Sequence, residues 1–255
     1  MNNNMEHARK MKRKQGKPLI SVIVPTLNEE KYIEKTLLSL KSQTLSRKKF
    51  EIIVVDSSSN DNTVKIASKH ADKVIVISKK GISLARNIGA KSARGKILAF
   101  IDADTHPSKN LFKEVLRCFK NKNVVGCTCR IIPQKEKLIY NLAFFVYSFI
   151  LRVFMFIGLS LAPGIAIFCR KEVFDKLGGF NTKMKFSEDF EFMQRLGREG
   201  KICILNNAFV KTSVRRIEKY GPFVYFFSVL LWTFFLYHFL KYNLGRNEKL
   251  YPPIR

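Results

Sequence analysis

Two carboxylates one residue apart, Asp102 and Asp104 in IDADT, follow directly on the apolar run KILAF. On a turn after a buried strand such a pair reaches one side. Its oxygens suit a hard divalent cation such as Mg2+ or Mn2+, which keeps some waters and takes substrate phosphates as further ligands. A D-x-D pair by itself is a weak signal, because aspartate is common in loops. A second acidic pair, Glu188-Asp189, stands much later in the chain, in KFSEDFEFMQRL. Acidic residues there favour the dipole of a helix's first turn. Other polar residues end or flank apolar runs: Asn28 and Glu29 after VIVPT, Asp56 after EIIVV, and Arg86 in SLARNIG. Each has a plain alternative. Asn28 and Glu29 can start a helix, Asp56 can be a turn or cap residue, Arg86 a surface arginine, and Asp61 a turn residue.

Elements must hold these residues in place. LISVIVP (19–25) is a continuous β-branched run, as in a strand buried on both faces. Helical spacing follows over 29–43, at Ile33, Leu37 and Leu40. EIIVVD (51–56) is a second strand, and 57–63 is a turn whose Asn60 or Asp61 can cap a helix over 62–70. Strands at 74–77, 96–102 and 123–132 alternate with helices at 83–93 and 108–120, the former rich in small residues that permit close packing. This alternation predicts an open, mostly parallel sheet with helices on both faces. Ligands bind such sheets beyond the carboxyl ends of the strands, where Asn28, Asp56 and Asp102 fall. After about residue 135 the pattern changes. An apolar stretch spans 138–162, then come a strand at 164–170, helices at 171–177 and 188–200, a strand at 201–205, and an aromatic segment at 222–240.

The chain of 255 residues carries 46 Lys and Arg against 20 Asp and Glu, a formal charge of +26, yet 46% of it is hydrophobic and 22 residues are Phe. A disordered polycation lacks such a core. The charge leaves nucleic acid, an anionic membrane or a phosphorylated small molecule as partners. Five scattered cysteines, at 118, 127, 129, 169 and 203, show no zinc-knuckle spacing and read as reduced thiols in or near a core, which suits a reducing cytoplasm. On a strand Cys127 and Cys129 share a face. The basic start is followed by an apolar run too short and interrupted for secretion, so residues 1–17 read as a disordered basic arm.

The ordered set VIVPTLNEE, VVDSSSNDNT, GISLARNIGAKSARGKILAFIDADT and the later Glu188-Asp189 pair strongly resembles glycosyltransferase family 2 over roughly residues 18–213. The resemblance implies an α/β GT-A fold, a nucleotide-binding doubly wound mixed sheet with helices on both faces. It implies that Pro25, Thr26, Asn28 and Glu29 line the nucleotide pocket. Asp56 would accept a hydrogen bond from the base, usually uracil. Arg86 would approach the base or diphosphate, Asp102 the ribose, and Asp104 the divalent metal. Asp189 would be the catalytic base, with Glu188 placing it or the acceptor; Glu191, which falls outside the motif, ranks lower for that role. One carboxylate opposite the leaving group predicts in-line displacement with inversion. The expected division is a catalytic domain over 18–216 (donor half 18–107, acceptor half 108–216) and a membrane-associating helix and basic tail over 217–255.

Two positions depart from the family pattern. Asp56 is followed by Ser57 rather than a second carboxylate. FVKTSVRR (209–216) lacks the histidine that many relatives use near the metal; His106 reads as a loop residue. Arg215 and Arg216 either cover the diphosphate, since paired guanidiniums suit phosphate oxygens, or form a basic membrane-flanking patch. Basic residues on both sides of 222–240 leave its orientation open, and an in-plane or re-entrant helix explains that symmetry better than a span. Segment 138–162 is an in-plane helix beside the acceptor site or a core helix. The expectation is an inverting transferase using a nucleotide-diphosphate sugar, UDP-sugar favoured. Its acceptor is a hydroxyl on a lipid-linked saccharide or glycolipid at the cytoplasmic membrane face. The alternatives are a polyprenyl-phosphate sugar synthase and, remotely, a basic nucleic-acid-binding protein; nucleic acid is the least expected partner.

Overall fold

The computed structural model describes residues 16–156, 162, 164–184 and 187–221. Most of the basic arm at 1–17, the end of the 138–162 stretch and the whole of 222–240 with its basic tail lie outside them.

Among the described residues the strands form one sheet, ordered β3-β2-β1-β4-β7-β6-β8-β5. β1 (Ile20–Thr26), β2 (Phe50–Asp56), β3 (Lys73–Val76) and β4 (Ile97–Ile101) are mutually parallel. β7 (Ala166–Arg170) runs antiparallel to β4 and to β6 (Val124–Pro133). β8 (Lys201–Thr212) is parallel to β6 and antiparallel to β5 (Thr105–Pro107). The sheet is therefore more mixed than the β-α alternation predicts, because the acceptor half inserts an antiparallel strand. β8 also runs seven residues beyond the expected 205, and His106 lies on β5 rather than in a loop.

Helices α1 (Ile33–Lys41), α2 (Thr63–His70), α3 (Ile82–Ser92), α4 (Leu111–Cys118), α5 (Leu138–Phe156), α6 (Lys171–Lys176), α7 (Glu188–Glu199) and α8 (Arg215–Tyr220), with a single 3-10 turn at Arg47–Lys49, complete the described elements. Alternate residues of one strand feed opposite cores. Val22 and Val24 of β1 join Leu37 and Phe112 on one face, while Ile23 joins Ile53, Phe100 and Phe192 on the other. Each fully buried Ile or Phe contributes about 1.5–3 kcal/mol. This explains why the strands read as unbroken apolar runs. α3 lies close to β1: a Cβ at Gly89 would stand 2.4 Å from Ile23 Cγ2, so only glycine allows the approach that fixes Arg86 and Asn87 on this helix.

α5 is apolar on both faces. Tyr140, Phe144, Tyr147 and Leu151 are buried against the domain, whereas Leu138, Leu142, Phe145 and Phe149 are 86%, 54%, 69% and 60% exposed. It is long and apolar enough to cross a membrane by length and composition. The five cysteines are unpaired; Cys127 and Cys129 of β6 lie in the same core, and Cys127 stands opposite Cys203.

Candidate active site

The carboxyl ends of β1 and β2 are stitched together by their loops. Thr26 and Asp56 are register partners, and the Thr26 hydroxyl donates to Asp56 Oδ2 at 2.9 Å. Asp56 is fully buried and also accepts the Ser59 N–H at 2.8 Å and the Ser59 hydroxyl at 2.5 Å. The carboxylate thus closes its own turn, and in this conformation it is not open to a base as expected. Asn28 adopts a left-handed φ of 55°, which asparagine tolerates better than most residues. This lets its N–H donate to Ser59 Oγ at 2.7 Å while its Oδ1 accepts from Asn60 N–H at 2.9 Å. Asp61 accepts from Thr63 and Glu30 N–H groups at 2.9 and 3.2 Å, a turn role. These bonds hold residues 27–31 outside the helix, so α1 begins at Ile33 rather than 29.

A second cluster centres on Arg86. Its guanidinium is 1% exposed and donates from Nη1 to Glu188 Oε1 at 3.0 Å, and from Nη2 to Asp102 Oδ1 at 3.2 Å and the Gly164 carbonyl at 3.0 Å. The Phe180 ring lies 5.1 Å from its central carbon. The expected reach of Arg86 to the base or diphosphate is not what this placement provides. The side chain is a buried pin between the β4 end and the start of α7. Neither is it the surface arginine of the plainer reading.

Asp189 is half-buried beside this pin. Its Oδ2 accepts the Gly164 N–H at 2.5 Å, and its Oδ1 accepts the N–H of Phe190 at 2.9 Å. Burial and the Glu188 charge push its carboxyl up to about 6, against the pull of Arg86. A carboxylate poised there, oriented by fixed donors, is a competent general base near neutral pH. Glu191 is not a rival: it is fully buried and paired bidentately with Arg195, Oε1 at 2.6 Å and Oε2 at 2.8 Å.

Asp104 lies in the tight link between β4 and β5, with its carbonyl accepting from Gln134 Nε2 at 2.8 Å. Burial and the Asp102 charge raise its carboxyl to about 6, with Arg215 opposing. Arg215 Nη2 stands 3.2 Å from Asp104 Oδ2. The same guanidinium grips Glu29 bidentately, Nη1 to Oε2 at 2.8 Å and Nη2 to Oε1 at 2.6 Å, over the Tyr32 ring at 4.9 Å. The main chain of Arg216 belongs to α8; its side chain lies outside the described residues. Among the described residues no three His, Cys, Asp or Glu side chains form a ready-made metal cage. The hard oxygens of Asp104 and Asp102 nevertheless fit a Mg2+ or Mn2+ ion, which is held through one or two carboxylates and completes its shell with phosphates and water.

The arrangement therefore brings Glu29, Asp102, Asp104, Glu188 and Asp189 to one end of the sheet, linked by two arginines. Gly164, whose N–H and carbonyl serve Asp189 and Arg86, is not among the residues expected from the sequence. Its only signal is a glycine ahead of a strand in LAPGIA. Tyr32 and Gln134 carried no signal at all.

Residues 21–178 match the model of the family described as glycosyl transferase family 2. An uncharacterized glycosyltransferase of Rickettsia prowazekii is 27% identical over 218 residues, covering 82% of this chain and 68% of its own. The poly(ribitol-phosphate) beta-N-acetylglucosaminyltransferase TarS of Staphylococcus aureus is 37% identical over 100 residues, 37% of this chain and 18% of its own. Among solved structures, the mannosyltransferase PcManGT of Pyrobaculum calidifontis, in complex with GDP-Man and Mn2+, matches with a TM-score of 0.66 at 22% identity, covering 85% of this chain and 65% of that one. TarS 1–349 in complex with UDP-GlcNAc matches with a TM-score of 0.60 at 23% identity, covering 76% and 58%. The chain thus spans 68% of the Rickettsia relative, 65% of the PcManGT chain and 58% of TarS 1–349.

Proposed function

The chain belongs to glycosyltransferase family 2 and has its GT-A-like fold, and from that premise we propose an inverting transfer from a nucleotide-diphosphate sugar to a hydroxyl of a lipid-linked saccharide or glycolipid. The observation that carries the reading is the half-buried Asp189, with one oxygen fixed by the Gly164 N–H beside the Arg86–Glu188 pair. A hydroxyl needs a base as the new bond forms; a lipid phosphate, already anionic, does not. Asp189 takes the acceptor proton, and the sugar carbon inverts as the diphosphate leaves from the opposite face. Arg86 keeps Glu188 and Asp102 in register with that base. Pro25, Thr26, Asn28 and Glu29 form the wall of the nucleotide site, supported from behind by Asp56, and Asp102 meets the ribose.

Asp104, with Asp102, would hold a Mg2+ or Mn2+ ion, which neutralises the negative charge developing on the diphosphate. UDP-sugars are the first choice of donor. A glycan hydroxyl acceptor is in line with the TarS relative, whose name describes transfer to poly(ribitol-phosphate).

The proposed location is the cytoplasmic face of a membrane. The outward stripe of α5 meets the bilayer, and its inward face keeps it tied to the domain, so the helix lies along the surface rather than across it. Exposed Lys135 and Lys137 flank its start, and such residues are drawn to an anionic leaflet by about 1 kcal/mol each. Unpaired cysteines suit the reducing side.

Asp189→Asn tests the assignment. Transfer to a hydroxyl acceptor should fall roughly a hundred- to ten-thousandfold, with donor binding by calorimetry unchanged. Full turnover in this variant would move the acceptor to a lipid phosphate.

A further inference from the structure

We propose that Arg215 is a resident cation that fills the metal position in the donor-free enzyme and is drawn away by the donor's diphosphate. The proposal rests on the donor site described above and concerns what guards it. β5 pairs with β8 so that Thr105 stands opposite Thr212. Asp104 is one residue before that rung and Arg215 three residues after it, so the sheet register itself delivers the arginine to the carboxylate. Its guanidinium then bridges Glu29 and Asp104, whose side chains are only 14% and 13% exposed, while Arg215 itself remains 38% exposed. The head can therefore leave toward solvent without unpacking either carboxylate.

One positive charge serves two carboxylates there, with Asp102 adding to the negative field on Asp104. A divalent cation arriving alone has to displace a bidentate ion pair stacked on Tyr32, and so it binds weakly. A diphosphate changes the balance. The planar fork that grips Glu29 fits two phosphate oxygens equally well. Once Arg215 moves to the phosphates, Asp104 is left without its partner and accepts the hard cation. Cation and nucleotide thus bind with positive coupling, and each raises the other's affinity by the same factor. Arg215 is thus a gatekeeper rather than a ligand.

The test is a Mn2+ titration of the full chain, followed by the electron paramagnetic resonance of free Mn2+, with and without UDP. Arg215→Met should bind Mn2+ alone about tenfold more tightly than the wild type, and UDP should then add less than it adds to the wild type. Arg215→Lys keeps the charge without the fork and should fall between the two. If both variants bind Mn2+ alone no more tightly than the wild type, the proposal is overturned, as it is if UDP raises Mn2+ affinity equally in all three. The Mn2+-alone arm uses neither donor nor acceptor. Its failure would leave the transferase reading intact, whereas failure of the wild type to bind UDP would count against the donor site.

Discussion

Asp189 and Asp104 both sit where burial and a neighbouring carboxylate push the carboxyl up to about 6. The sign follows directly. Below about 6 the base is protonated, so kcat/KM for a hydroxyl acceptor should rise through an acidic limb near that pH. The same shift means that the folded chain binds these protons more tightly than the unfolded chain does. The resulting contribution to stability is full below the ordinary aspartate range and lost as pH rises through about 6. A pH–rate profile without that limb would argue against Asp189 as base. Gly164 gives a second prediction at this scale. A Cβ there would stand 2.6 Å from Arg86 Nη2 and 3.1 Å from Asp189 Oδ2. Gly164→Ala should cut transfer at least about tenfold by displacing the base and Arg86, with nucleotide affinity by calorimetry falling less than transfer does. The acidic residues were legible because carboxylates after buried strands are conspicuous. The partner of Arg86 was not: Glu188 lies 102 residues away. Gly164 acts through its backbone, which carries no side-chain signal.

At the scale of elements, the parallel half was readable because its strands are apolar on both faces and its helices carry a clear period. β5 has three residues and no period to detect, and the far half of β8 follows a register shift opposite Cys129 and Arg130. α5 resisted assignment for a different reason: apolar residues on both faces hide which one packs. The structure separates them. Phe145→Glu combined with Phe149→Glu should abolish flotation with anionic vesicles while leaving the melting temperature close to that of the wild type. Phe144→Ala, on the buried face, should instead destabilise the fold by about 3–5 kcal/mol. Undiminished flotation of the double variant would remove α5 from the membrane contact. Phe190, next to Asp189, packs with Tyr147 and Leu151 of this helix, so the proposed membrane face and the base share one small core.

Across the whole molecule, a chain of net charge +26 gathers five carboxylates at one sheet end and pairs four of them with two arginines. The strand order has a consequence for synthesis. Among the described residues β5 pairs with β8 alone, yet 93 residues separate Pro107 from Lys201. A ribosome emits the Asp102–Asp104 loop long before the strand that anchors it. Until β8 threads between β6 and β5, the nascent chain holds a nearly complete nucleotide half that lacks both Arg215 and a fixed Asp104. Long-range pairing of this kind is slow, so the proposed donor site should be completed late in folding, and a half-made chain should have little capacity for the proposed transfer.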